Sequence, residues 1–152
     1  MNNQFLKKEA VGRAKTVTLF PQYQLVESSD PYAVWDMSGQ TTTNITGELK
    51  PFFIEIKDRN ISSTDFDSVF LEFSKYQHLL QISEANAGAD IFYLSFFKDN
   101  KALIYNLKKL KVSELKLSIQ NVNKTTMADS PNVNKVMIEL PYHEATIKKL
   151  KN

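Results

Sequence analysis

The stretch Pro51-Phe52-Phe53-Ile54-Glu55-Ile56-Lys57-Asp58 is an apolar run that turns abruptly charged at its end. Side chains alternate between the two faces of a β-strand, so Ile54 and Ile56 point one way, where a helix can bury them, while Glu55 and Lys57 point the other way. A carboxylate and an ammonium group therefore stand side by side on a mostly apolar strand. Charge at such a position is costly unless it is paired or used.

A second apolar run upstream also ends in a charged residue. Residues 32–37, Tyr-Ala-Val-Trp-Asp-Met, predict a strand whose carboxylate is Asp36. If the two strands are antiparallel neighbours, as consecutive strands often are, Asp36 lies across from Glu55. Two facing carboxylates repel each other unless a cation sits between them, and carboxylates completed by waters and substrate phosphate are what Mg²⁺ prefers. Such an ion neutralises charge that develops on a phosphodiester, and Lys57 adds a further positive charge. The pattern predicts a hydrolytic site.

The remaining elements predict an α/β fold with a central mixed sheet flanked by helices, because helix, three strands, helix and hairpin follow one another. A first helix is predicted over 3–17, with an apolar stripe at Leu6, Ala10, Ala14 and Val17, and a second helix from Thr64 or Asp65 to about Ser83. Strands are predicted over 23–26, 41–46 and 136–140, and a hairpin is formed by 89–97 and 102–107. The rest of the C-terminal part is predicted as a helical turn over 112–115, an extended segment over 117–122, a polar loop over 123–134 and a terminal helix over 142–150.

Composition excludes several classes of protein. The chain has 152 residues, of which 42% are apolar and 24% charged, as expected for one globular domain. It has no cysteine, which excludes disulfides, zinc ribbons, iron–sulfur clusters and thiol nucleophiles. Its two histidines, His78 and His143, lie far apart and are expected to be surface or structural residues. No apolar run approaches the roughly 18 residues of a membrane span, and the N-terminus has no signal-like stretch, so an intracellular protein without a membrane segment is expected.

Charge alone does not decide the partner of the protein. The formal net charge is only +2, too small to indicate nucleic-acid binding by bulk charge. Its distribution is uneven, since lysines and arginine crowd residues 7–15, 108–116 and 148–151, whereas the acids concentrate between Glu48 and Glu72. This pattern fits either ordinary solvated faces or a basic rim around an acidic centre.

At Asp36 and at Glu55-Ile56-Lys57 the chain resembles the restriction-endonuclease-like superfamily, the PD-(D/E)xK nucleases. Asp36 matches the aspartate of the motif and Glu55-Ile56-Lys57 its (D/E)xK, followed by a helix; Trp35 stands where the motif has proline. The resemblance extends from about Glu9 to Leu107 and is similar to small stand-alone nucleases of bacteria and phages and to resolvase-like members. It implies a single nuclease-like domain over 1–152, with its core at about 3–107 and an extension over 108–152 of unknown role.

The resemblance also implies a chemistry. It predicts a Mg²⁺-dependent nuclease that hydrolyses DNA, with Mn²⁺ able to replace Mg²⁺. Asp36 and Glu55 would ligate the metal together with the carbonyl of Ile56, and Lys57 would orient the attacking water or stabilise the transition state. Glu9, in the first helix, matches an acidic residue that many members add to the metal site.

A further site residue is expected in the helix after the motif, where family members use a lysine or a glutamine to support the site. The order Glu72-x-x-Lys75 favours Lys75. A helical wheel, however, places Gln77 on the apolar face and Lys75 nearly opposite, so Gln77 is the second candidate.

The resemblance implies DNA as a partner and, since small members of the superfamily are often dimers, a second copy in a homodimer. The expected location is the cytoplasm of a bacterial cell or phage-infected host. The residues of the predicted site also allow other interpretations. Glu48-Leu49-Lys50 is a competing ExK motif. Glu55 and Lys57 could be an exposed pair on an edge strand, and Asp36 could simply start a turn. The functional alternatives are a non-catalytic nucleic-acid-binding or virion-associated protein that keeps the fold, and an interaction domain without nucleic acid.

Overall fold

Two sheets and two helices make up the fold in the computed structural model, which describes residues 3–29, 33–42, 46–124 and 131–151. Short 3₁₀ turns occupy Leu107–Lys109, Val112–Glu114 and Tyr142–Glu144. The helices are α1 (Asn3–Leu19) and α2 (Phe73–Ala85), and the strands are β1 (Val26–Glu27), β2 (Met37–Thr42), β3 (Leu49–Asp58), β4 (Ser68–Glu72), β5 (Asp90–Phe96), β6 (Lys101–Asn106), β7 (Lys116–Asn123), β8 (Asn132–Pro141) and β9 (Thr146–Lys149).

The larger sheet has six strands in the order β1-β2-β3-β5-β6-β9. All neighbours are antiparallel except β3 and β5, which run parallel and are joined through β4 and α2. The smaller sheet is antiparallel, in the order β4-β8-β7. The stretch from Pro51 to Asp58 thus lies in the third strand of a mixed sheet, β3, as expected for an α/β fold.

Apolar clusters lie on both faces of the six-stranded sheet. On one face the sheet packs against α2 and the three-stranded sheet, with Tyr93, Tyr105 and Ile138 fully or almost fully buried. On the other face Ile54 and Phe96 are buried in a second cluster, and α1 packs against β3. The predicted alternation of β3 is therefore confirmed, because Ile54 and Ile56 lie on the α1 side while Glu55 and Lys57 lie on the other.

Helix α1 forms where it was predicted, but it buries a different stripe. Ala10, Ala14 and Val17 are exposed, whereas Gly12 and Thr16 are buried. A Cβ on Gly12 would lie 2.9 Å from Cγ2 of Ile56, so the absence of a side chain lets the helix approach β3 closely. Thr16 satisfies its hydroxyl by donating to the Gly12 carbonyl at 2.8 Å. The packing face consists of small residues that an apolar-stripe criterion overlooks.

One helix prediction is wrong in its extent and another in its type. Helix α2 begins at Phe73, because residues 68–72 form β4 and pair with β8, far along the chain. The predicted terminal helix over 142–150 is a 3₁₀ turn followed by β9, which pairs with β6 at the edge of the larger sheet. Pairing with β6 gives the backbone of β9 its hydrogen bonds, and Leu150 is buried in the core.

The other strand boundaries shift more modestly. The strand predicted over 32–37 begins only at Met37, and the one predicted over 23–26 is reduced to β1. The polar loop predicted over 123–134 is shorter, since β7 extends to Asn123 and β8 starts at Asn132. Parts of the segments 32–37, 41–46 and 123–134 lie outside the described residues. Among the described residues, no helix combines the length and apolarity needed to cross a membrane.

Candidate active site

Asp36 is fastened to β3 at the point where β2 begins. Its backbone N–H donates to the Ile54 carbonyl at 2.8 Å, and its carboxylate Oδ2 accepts the backbone N–H of Ile56 at 2.7 Å. The ladder that pairs Met37 with Ile54 then sets Asp36 beside Glu55 on the same face of the sheet. The predicted approach of the two carboxylates is therefore present in the structure.

Glu55 is the most deeply buried carboxylate of this group, with 9% of the residue exposed. Desolvation raises its pKa to about 8; the Lys75 ammonium opposes this rise and the charge of Asp36 reinforces it. Lys75 donates to Glu55 Oε1 at 2.6 Å. A charge-assisted contact of this length fixes the carboxylate in place, and it leaves the second oxygen of Glu55 for another partner.

Lys75 reaches Glu55 because α2 begins later than the sequence suggested. It lies in the first turn of the helix, while the buried face of α2 consists of Tyr76, Leu79 and Ser83. Burial acts to lower the pKa of Lys75, but the Glu55 carboxylate, its hydrogen bond and the more distant Tyr93 and Glu72 together raise it. Gln77, the second candidate, is exposed. The helical wheel misassigned it because residues of β4 had been counted as helix.

Lys57 lies on the same face of β3 as Glu55 and is exposed. Desolvation around its ammonium group, together with the charges of Arg59 and Lys75, lowers its pKa. Two carboxylates and two lysines therefore share one small region: Asp36, Glu55, Lys57 and Lys75. Like charges are adjacent in both pairs, which is an unfavourable arrangement for folding and a common one at functional sites.

Arg59 has a structural position that the sequence did not reveal. Its Nη2 donates to the Tyr93 hydroxyl at 2.8 Å and to the Phe70 carbonyl at 3.0 Å, and its Nε donates to the Ser95 hydroxyl at 3.2 Å. The side chain thus ties the end of β3 to β4 and β5. Nothing in the local sequence distinguishes it from the neighbouring surface charges.

The remaining candidates are not gathered at this place. Glu9 is half-buried on α1, and the described residues contain no group of three or more acidic, histidine or cysteine side chains able to hold a metal ion, so Glu9 does not join Asp36 and Glu55. Glu48 is exposed at the opposite end of β3, which separates the competing ExK motif from Asp36. His78 and His143 are both exposed.

The mixed sheet, the crossover through α2 and the placement of the charged strand confirm the predicted α/β fold with a central mixed sheet flanked by helices. The fold is similar to that of Hjc, a Holliday junction resolvase from the archaeal hyperthermophile Archaeoglobus fulgidus. The similarity has a TM-score of 0.55 at 9% sequence identity, and it covers 91% of this chain and 90% of that chain. No protein-family model and no curated protein sequence matches the chain. At this identity the likeness establishes the fold, and the chemistry has to be argued from the residues.

Proposed function

We propose that this protein is a metal-dependent nuclease that hydrolyses DNA phosphodiester bonds. The observation that carries the proposal is the pairing of Asp36 with the buried Glu55, beside Lys57 and Lys75, on a central strand of this fold. Fold alone does not determine function, so the similarity to a resolvase supports the proposal only in combination with these residues.

The residues fit a Mg²⁺ ion, and Mn²⁺ as its substitute. Asp36 and Glu55 bring two carboxylates together on one face. Burial, reinforced by the charge of Asp36, raises the pKa of Glu55, so a cation between the two carboxylates would favour the ionised form of Glu55. Mg²⁺ is commonly held by one or two carboxylates, with waters and substrate phosphates completing its shell. Asp36, Glu55 and the carbonyl of Ile56 would hold it, without Glu9. When bound, the ion neutralises charge on the scissile phosphate as a Lewis acid.

The lysines have different tasks in this proposal. Lys57, exposed beside the carboxylates, contacts the phosphate or the attacking water and stabilises the negative charge of the transition state. Lys75 acts as a positioning residue, because its hydrogen bond of 2.6 Å fixes the orientation of Glu55. Both groups sit on regular elements, β3 and α2, which hold a site more rigidly than loops do.

The biological setting follows from the substrate. An enzyme that cleaves DNA acts where DNA is accessible, so the proposed location is the cytoplasm of a bacterial cell or phage-infected host. A homodimer would supply two sites for two strands. Because the similar structure is a Holliday junction resolvase, a branched substrate belongs among those tested.

The test is cleavage of supercoiled plasmid, single-stranded DNA and a four-way junction in Mg²⁺, Mn²⁺ or EDTA. Asp36→Asn and Glu55→Gln are expected to abolish metal-dependent cleavage while circular dichroism shows an intact fold. Glu139→Gln, which alters a half-buried glutamate of β8 away from the site, is the matched control and should cleave as the wild type does. Full activity in both site variants would overturn the proposal. DNA binding without cleavage would favour the non-catalytic alternative.

A further inference from the structure

Five lysines converge where the larger sheet ends at the turn between β5 and β6 and at strand β9. We call this group the basic edge. Lys98, Lys148, Lys149 and Lys151 are exposed and Lys101 is half-buried. Leu150 donates its backbone N–H to the Asn100 carbonyl at 2.7 Å, so the C-terminal strand and the turn are held together. The five lysines of the basic edge are Lys98, Lys101, Lys148, Lys149 and Lys151.

The charges of the basic edge are not balanced from within the fold. None of the ion pairs between described residues involves any of the five lysines. The acid of the turn, Asp99, keeps its negative charge but is held by Ser63, whose backbone N–H and hydroxyl donate to it at 3.1 and 2.6 Å, and it forms none of the ion pairs between described residues. In addition, Lys101 and Lys149 are direct partners in the ladder between β6 and β9. Like charges directly opposite each other destabilise a strand pair, so this arrangement is not explained by folding.

The basic edge lies at the same end of the sheet as the candidate active site. One row of ladder partners crosses β3, β5, β6 and β9 and consists of Lys57, Ser95, Leu103 and Ile147. The partners Lys101 and Lys149 lie two positions further along β6 and β9, on the same face of the sheet. Three strand spacings separate β3 from β9, which is roughly 14 Å within the sheet. Along a duplex this distance corresponds to about four phosphates of one strand, at about 3.4 Å of helix axis each.

We infer that the basic edge is a binding surface for the DNA phosphate backbone, on which the substrate continues beyond the active site. The inference rests on the proposed function for the choice of DNA as the partner. A polyanion that enters the site beside Lys57 must leave it across a neighbouring surface. Among the described residues, the basic edge offers positive charge without ion pairs at the end of the sheet where Lys57 lies. Its contacts are electrostatic, so they position DNA without reading its sequence. The last strand thereby gains a role in the extension that follows residue 107.

The test measures binding separately from cleavage. Fluorescence anisotropy of a labelled duplex and of a four-way junction is measured in EDTA, with the double variant Lys101→Gln/Lys149→Gln. Removing two phosphate contacts should make the plot of log affinity against log salt concentration less steep by about 2. The ratio of wild-type affinity to variant affinity should therefore fall about tenfold between about 50 and 200 mM salt. The thermal midpoint should not fall, because the substitution removes a like-charge pair.

The matched control is Lys109→Gln/Lys111→Gln, which removes the same charge from exposed lysines that follow β6 at the opposite end of the sheet. If bulk charge governed binding, both double variants would lose affinity equally, and the inference would be overturned. An unchanged affinity in Lys101→Gln/Lys149→Gln accompanied by self-association would also overturn it, since the lysines would then only protect an edge strand. Loss of binding to phosphatidylserine vesicles, with DNA affinity unchanged, would assign the surface to a membrane instead.

The outcomes separate this inference from the proposed function. A protein that never cleaves DNA, yet loses salt-dependent affinity only in the Lys101→Gln/Lys149→Gln variant, supports the basic edge and refutes the nuclease. A protein that cleaves in Mg²⁺ and binds equally well in both double variants supports the nuclease and refutes the basic edge.

Discussion

Strands β3 and β8 invite comparison because each has ten residues, lies inside its own sheet and carries one glutamate and one lysine on the same face. On β8 each charge has an opposite partner. Lys135 donates to Glu72 at 2.8 Å, and Glu139 lies 3.7 Å from the Lys116 ammonium and accepts the Ser68 hydroxyl at 3.1 Å. The charges of β8 are thus compatible with its role in holding the smaller sheet together.

On β3 Glu55 has an opposite partner in Lys75, at 2.6 Å, but Glu55 and Lys57 also have neighbours of their own sign. Glu55 lies beside Asp36, and Lys57 is affected by the positive charges of Arg59 and Lys75. The side chain of Glu55 is also less exposed than that of Glu139, at 12% against 27%. Crowding of like charges in a desolvated region costs stability, so its presence on β3 indicates a use other than folding. The comparison separates charges that serve the fold from charges that serve the site.

The largest expected effect concerns the lysines of the two strands. Lys57→Gln should slow metal-dependent DNA cleavage by about 10² to 10³-fold, because it removes a positive charge aimed at the transition state. Lys135→Gln, on β8, should leave the rate near that of the wild type. Initial rates on the best substrate measure both. Equal losses in the two variants would mean that the difference between the strands has no catalytic meaning.

A packing difference gives the next largest effect. Gly39 of β2 faces Phe52 of β3, and a Cβ there would lie 2.5 Å from the Phe52 ring and 3.0 Å from Leu25. Phe52 is only 4% exposed, so Gly39→Ala should reduce the free energy of unfolding by about 1 to 3 kcal/mol through overpacking.

The corresponding position beside β8 is Ser118, which faces Met137 from β7. Ser118→Ala should change stability by no more than about 0.5 kcal/mol, as is usual for partly exposed positions. Denaturant titration of both variants measures the two values. A Gly39→Ala protein as stable as the wild type would show that Phe52 can move aside.

The same two strands show what the sequence could and could not predict. The alternation of β3 is local, so the separation of Ile54 and Ile56 from Glu55 and Lys57 could be predicted from period alone. Strand β4 could not, because the spacing of Phe66, Phe70 and Phe73 also suits a helix. The pairing of β4 with β8, about seventy positions along the chain, decides the outcome and has no local signature.

That error affected the site as well as the fold. With the helix starting at Phe73 rather than near Asp65, Lys75 falls in the first turn and reaches Glu55, whereas the wheel had pointed to Gln77. The family order of residues identified Lys75 where the apolar pattern did not. The role of Arg59 was missed because its partners come from β4 and β5, and the alternation of β3 carries no information about them.

The smallest expected effect is the change in the free energy of unfolding when each of the two glutamates is replaced by glutamine, and this change is expected to differ between Glu139 and Glu55. Glu139→Gln should lower the free energy of unfolding by up to about 1 kcal/mol, since it weakens a partly exposed ion pair and a hydrogen bond. Glu55→Gln should leave it unchanged or raise it at neutral pH, because burial disfavours the charged form of Glu55 and the amide oxygen can still accept the hydrogen bond of Lys75. Thermal melts in EDTA measure both.

The pH dependence sharpens this difference. The pKa of Glu55 is raised from 4.5 to about 8 on folding, so between these values the folded protein holds a proton that the unfolded chain has released. The wild type therefore loses stability through Glu55 as the pH rises across this window, and the glutamine variant does not. The thermal midpoint of Glu55→Gln relative to the wild type should increase from about pH 5 to about pH 8. A midpoint for Glu55→Gln that falls with rising pH would mean that Glu55 stabilises the fold as a paired carboxylate, as Glu139 does, and the contrast between β3 and β8 would fail.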